Sequence, residues 1–201
     1  MKTGRIALIA VLIMAGVAST QPRSYPKAKV SFTDFKGLVA EVEEHRAKRL
    51  VDLNAFLAMS KETGTIILDT RSDFRFDRLH LKGAKHLSFT DFTQANLAGA
   101  IPGFQTRILI YCNNNFDGNQ TDFASKIAPP AKNDSLRSQM ESQAKPIMMA
   151  LNIPTYINLY GYGYRDVYEL DELVNVRDGR ISFEGTTVQS NTTEPGTIRL
   201  R

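Results

Sequence analysis

Three short, largely apolar runs constrain this chain most: Thr65-Ile66-Ile67-Leu68, Ile108-Leu109-Ile110-Tyr111 and Thr155-Tyr156-Ile157-Asn158-Leu159. Runs that do not alternate with polar residues mark strands covered on both faces, the pattern of a parallel sheet. Helical patterns lie between them. An apolar stretch at 49–51 leads into a helical one at 52–61, with Leu53, Phe56 and Leu57 on one face. A short helix over 72–78, a short strand over 84–87 and a helix over 90–97 follow. Strands alternating with helices predict right-handed crossovers, and hence an α/β domain with a mainly parallel sheet and helices on both faces. At 201 residues there is room for one such domain with appendages, and too little chain for two.

The appendages are legible from composition. Lys2 and Arg5 precede an uncharged run over 6–17 that ends in small residues, so 1–18 reads as a signal peptide cleaved after Ala18. That run has 12 residues. A helix that spans a bilayer needs about 20, so the mature form is expected to carry no integral membrane span. Export to a periplasmic or extracellular space follows as an expectation. Residues 19–30 read as a polar linker, and 31–48 as an extra amphipathic helix carrying Phe32, Phe35, Leu38, Val39 and Val42. The domain proper is expected over 49–185. An insertion over about 117–145 carries Pro129-Pro130 between two helical pieces, 120–127 and 145–151. The Ser/Thr/Asn-rich stretch 186–201 is expected to be a disordered tail.

Charge narrows the partners. Loss of Lys2 and Arg5 leaves 23 basic against 21 acidic side chains, so a net charge of +4 becomes +2. No Lys/Arg stripe interleaved with aromatics is present, so nothing points to nucleic acid. The single cysteine, Cys112, says more. An exported chain with one Cys has no internal disulfide, so its thiol is buried and inert, paired with another chain, or reactive. His45 and His86 have no metal-ligand spacing, and no metal site is expected.

Two segments carry a family resemblance. Leu68-Asp69-Thr70-Arg71, then Phe74, Phe76 and His80-Leu81-Lys82-Gly83-Ala84, resembles the rhodanese signature of a strand ending in Asp-x-Arg, a short helix and His-[Ile/Leu]-x-Gly-Ala. Ile108-Leu109-Ile110-Tyr111-Cys112 resembles the strand that delivers the active-site cysteine of that family. Further on, Leu159-Tyr160-Gly161-Tyr162-Gly163-Tyr164 sits where rhodaneses carry a glycine pair after their last strand. The resemblance covers about 49–173 and implies a single rhodanese-like domain. It also implies sulfur transfer through a Cys112 persulfide, from a small sulfur donor or thiol substrate and without a cofactor. Asp69, Arg71, His80, Gly161 and Gly163 are then structural support.

The residues around the thiol fit that chemistry. Ligands of open α/β sheets bind beyond the carboxyl ends of the strands, where Cys112 stands. Asn113, Asn114, Asn115, Phe116, Asp117 and Gly118 form an Asn-rich loop whose backbone N–H groups can curl around an anion. Such a nest, backed by a helix N-terminus, lowers a thiol's pKa. The loop departs from the family in one respect. Catalytic rhodanese loops close with Arg, Lys or Thr about five residues after the Cys, and the related phosphatases with Arg six after it, whereas Asp117 and Gly118 stand here. Phosphatase chemistry is therefore the least supported reading, and a carboxylate at the rim would repel an anionic donor unless it turns outward. Three classes remain open: an exported sulfurtransferase, a non-catalytic or redox-sensing rhodanese-like binding module, and a binding or structural protein in which Cys112 is simply buried.

Overall fold

The computed structural model describes residues 25–126 and 150–188. Residues 1–18, read as the signal peptide, residues 19–24 of the linker, residues 127–149 and residues 189–201 lie outside them. The chain divides into a unit ending at Ser31 and one beginning at Phe32. The described residues of the first unit are exposed and carry no helix or strand.

The second unit is built on two short apolar strands. β2 (Thr65–Asp69) and β5 (Arg107–Tyr111) pair in parallel along their full length, Thr65 opposite Arg107 and Asp69 opposite Tyr111. β4 (Lys85–His86) extends β2 on one side. β7 (Val167–Leu170) pairs with β5 on the other, and β1 (Leu50–Val51) closes that edge. The sheet runs β1-β7-β5-β2-β4 with every pair parallel.

Because side chains alternate along a strand, each apolar run feeds two cores. Leu68, Ile108, Ile110 and Val167 face one cluster with α1 (Phe32–Ala47), α4 (Gln94–Ala100) and α5 (Asn152–Gly161). Leu109, Tyr111 and Leu170 face a second cluster with α2 (Leu53–Met59), and α3 (Asp73–Arg78) leads from it into β3 (His80–Leu81). Helices thus cover both faces, as the sequence predicts. Local capping sets two of them: the Asp52 side chain accepts from Ala55 N–H at 2.7 Å, and Thr93 from Asn96 N–H at 3.2 Å. The helix expected over 90–97 begins later than expected, because residues 89–91 form a single 3-10 turn before the Thr93 cap.

The structure corrects three elements. Residues 155–159 are not a strand but the middle of α5. Pro154 sits in the first turn, where its missing N–H costs nothing, and Tyr156, Leu159 and Tyr160 share the buried face at helical spacing. The last strand of the five-stranded sheet is β7, whose Glu169 is buried although a carboxylate is ordinarily a surface residue. Its partner is distant: Arg46 of α1 grips it with two bonds, at 2.6 and 2.7 Å. The helix expected over 120–127 is, as far as Lys126, a turn instead. Asn119 accepts from Asp122 N–H at 3.0 Å through its side chain, a local bond that competes with helix formation, and Phe123 is driven into the second core. The helix expected over 145–151 lies outside the described residues except for its last two. Finally, residues 186–188, assigned to the tail, belong to the domain: Thr186 and Thr187 N–H donate to Asp77 O and Arg78 O at 2.8 and 3.0 Å.

Two small ladders finish the second core. β6 (Phe116–Asp117) pairs with β8 (Val174–Asn175) in parallel, and β3 with β9 (Phe183–Glu184) in antiparallel.

Candidate active site

Cys112 follows β5 directly, at the carboxyl edge of the sheet. Its backbone is extended, and Asn113, Asn114 and Asn115 turn in a single 3-10 coil beyond it. The thiol is 1% exposed. Leu151 N–H lies 3.2 Å from Sγ, and the Asn113 N–H beside it draws the thiol's pKa down. Leu151 is the cap residue of α5, so a helix N-terminus is aimed at the sulfur across the insertion.

The anion cradle expected from residues 113–118 is therefore only partly formed by them. Asn115 N–H is bonded to Cys112 O at 3.1 Å, and Phe116 N–H to Asn113 O. Phe116 and Asp117 continue into β6, where Asp117 O accepts from Val176 N–H at 3.0 Å. Gly118 turns the chain at φ 80° against Asn175. The loop leaves the thiol after two residues because Phe116 has a core to enter, against Tyr111, Phe123 and Phe183.

Asp69 and Arg71 form the floor. Both are buried, at 0% and 2% exposure. The Arg71 guanidinium donates to both Asp69 oxygens, to Leu79 O at 2.6 Å and to Asn113 Oδ1 at 3.4 Å. Tyr111 hydroxyl donates to the same carboxylate and accepts from Leu81 N–H at 3.1 Å. One ion pair thus joins the ends of β2 and β5 to the start of β3. His80 is held apart from the thiol's own contacts: its Nδ1 bonds Phe76 O at 2.7 Å and its ring stacks on Phe76 at 3.7 Å. Gly161 and Gly163 are not beside the active loop. Gly161 lies against Leu38 of α1, and Gly163, at φ 103°, against Phe104. They belong to the turn before β7, at the amino end of the sheet, because residues 155–159 are a helix running away from Cys112.

A cleft of about 260 Å³ is lined by Asn113 and Leu151, the chain neighbour and the hydrogen-bond donor of Cys112, while Cys112 itself stays buried behind them. Arg71, Arg75 and Lys126 supply its cations, and Thr70, Ser72, Ser88 and Thr90 its hydroxyls. Among the described residues no acidic side chain lines it, and Asp117 is not part of it. The cation absent from the loop's end is therefore supplied from α3 and from the chain entering the insertion. Neither Arg75 nor Lys126 carries a sequence signal of that role, since each reaches the cleft only through the fold. Lys126 is fixed there by its own N–H, which donates to Asn114 Oδ1 at 2.8 Å.

The thiol's acidity runs against expectation. Burial pushes the Cys112 thiol above its ordinary value, more than the Leu151 and Asn113 N–H groups and Lys126 draw it down. Among the described residues no group of three or more His, Cys, Asp or Glu side chains could hold a metal ion. Nor is any described helix long and apolar enough to cross a membrane.

Fold and site together define an α/β domain that presents one thiol beneath a helix N-terminus at the carboxyl edge of a parallel sheet. The model of the rhodanese-like domain matches residues 52–172, and the chain belongs to that family. Among solved structures, the BH2092 protein from Bacillus halodurans is similar at 17% identity, over 74% of this chain and 87% of that one, with a TM-score of 0.41. No curated protein matches the chain.

Proposed function

We propose that this protein is a sulfurtransferase in which Cys112 carries sulfane sulfur. The observation that supports this best is the Leu151 N–H at 3.2 Å from Sγ, a helix-terminal donor aimed at the atom that would bear the charge. The donor is a small anion taken into the cleft of Arg75 and Lys126, with thiosulfate as the simplest probe. The Cys112 thiolate attacks the outer sulfur of thiosulfate, and sulfite leaves with the electron pair of the broken S–S bond. A nucleophilic acceptor then takes that sulfur, and the Cys112 thiolate is the leaving group. Intact mass after incubation with thiosulfate is expected to rise by one sulfur, and Cys112→Ser to abolish the gain. No gain with thiosulfate or with a polysulfide removes this reading.

A second reading is favoured by the burial of the thiol at 1% exposure and its raised pKa. It is a rhodanese-like module that binds an anion or a partner's thiol without turnover. Saturable thiosulfate binding with an unchanged Cys112 mass supports it over the first. Export is part of the proposal as well. It rests on residues 1–18, and predicts a mature N-terminus at Ser19.

A further inference from the structure

Three asparagines follow Cys112, and one of them makes contacts the thiol itself does not. Asn115 is 6% exposed and uses all four of its side-chain hydrogen-bonding positions. Its Oδ1 accepts from Cys112 N–H at 2.9 Å and from Asn152 Nδ2 at 2.8 Å. Its Nδ2 donates to Leu170 O at 2.7 Å and to Glu172 O at 3.3 Å. One amide thus joins the end of β5, the first residue of α5 and the end of β7. Asn152 directly follows Leu151, whose N–H faces Sγ. The Asn152 amide has no other bond through its oxygen, so its hold on the loop runs through Asn115 alone.

We infer that Asn115 is a positioning residue for Cys112, with Asn152 as its link to α5. It fixes the cysteine backbone on one side and the α5 N-terminus on the other, so the Leu151 N–H stays on the sulfur. The role is local because the donor on Sγ, Leu151 N–H, comes from a segment 39 positions beyond Cys112, with the Asn115–Asn152 bond as a direct side-chain tie beside it. Aspartate at 115 would not serve. It keeps the acceptor but turns both donors into a carboxylate facing two carbonyl oxygens. The inference rests on the reading of Cys112 as the sulfur carrier, and its test separates the two.

The test is single-turnover persulfidation of the whole protein by thiosulfate, followed by intact mass, for the unaltered chain, Asn115→Ala, Asn152→Ala and the double variant. Iodoacetamide alkylation of Cys112 and amide hydrogen exchange are measured alongside. Asn115→Ala is expected to lower the limiting rate by about tenfold or more, because displacement near 1 Å suffices for such losses. The half-saturating thiosulfate concentration should stay within about twofold, since Arg75 and Lys126 are untouched. Asn152→Ala should lower the rate less, and the double variant no further than Asn115→Ala, because both links share one oxygen. The Cys112 and Leu151 amides should lose protection while those of β2 keep theirs. An unchanged limiting rate overturns the inference, as does a rise in half-saturation proportional to the rate loss, or loss of protection throughout β2. If the unaltered protein gains no sulfur yet Asn115→Ala changes its alkylation rate about tenfold, the positioning role stands and the sulfurtransferase reading falls.

Discussion

Cys112 has its pKa raised by burial, so its titration is linked to folding with a definite sign. The unfolded thiol ionises near pH 8.5 and the folded one higher. The stabilisation is complete below the unfolded value and is lost as pH rises through the folded one. As pH rises above about 8.5 the urea midpoint is expected to fall, and Cys112→Ala to flatten that slope. The persulfidation rate should still be climbing in the same window. Arg75→Ala and Lys126→Ala should each raise half-saturating thiosulfate by about tenfold with little change in limiting rate, the size of one charge-assisted hydrogen bond. Arg71→Ala differs, since it leaves the Asp69 carboxylate buried without its cation. A loss of about 3 to 5 kcal/mol in denaturant unfolding is expected. At this scale the sequence shows what local motifs carry: Cys112 at a strand end, and Asp69 with Arg71 two residues on. Leu151 and Lys126 could not be read from it, because their work is done by a backbone N–H or by a position reached through the fold.

Residues 155–159 and β7 both take their form from distant partners. A five-residue apolar run fits a buried strand or one face of a helix equally well, and 155–159 was decided by contacts with α1 and β5 rather than by its own pattern. β7 was hidden by Glu169, whose burial makes sense only once Arg46 stands beside it. The same pair ties α1 to the sheet, with help from the His45 bond to Tyr156 hydroxyl at 2.9 Å. Arg46→Ala is expected to cost about 2 to 3 kcal/mol, measured by urea unfolding. Combining it with Glu169→Gln should recover about half of that, since the stranded charge is then gone. By contrast β2 and β5, with the unbroken apolar runs Ile66-Ile67-Leu68 and Ile108-Leu109-Ile110 between their end residues, were legible from the sequence alone.

At the scale of the whole molecule, the matched family region stops at residue 172, but the second core does not. Val174 and Ile181 are buried in it, Phe183 packs on it, and β8 and β9 each pair with an earlier strand. A chain ending at Glu172 is expected to lose about 5 kcal/mol or more, comparable to the entire stability of a small domain. Its near-ultraviolet circular dichroism should show no cooperative unfolding. Of this extension only residues 186–188 fall outside the 49–185 domain read from the sequence, because a Ser/Thr-rich composition marks a tail whether or not its backbone finds partners, as Thr186 and Thr187 do. The connection between Lys126 and Ala150 begins and ends at the thiol, with Lys126 N–H on Asn114 and Leu151 N–H on Sγ. Two stretches far apart in the chain thus meet around one sulfur, and damage to either is felt first at the thiol.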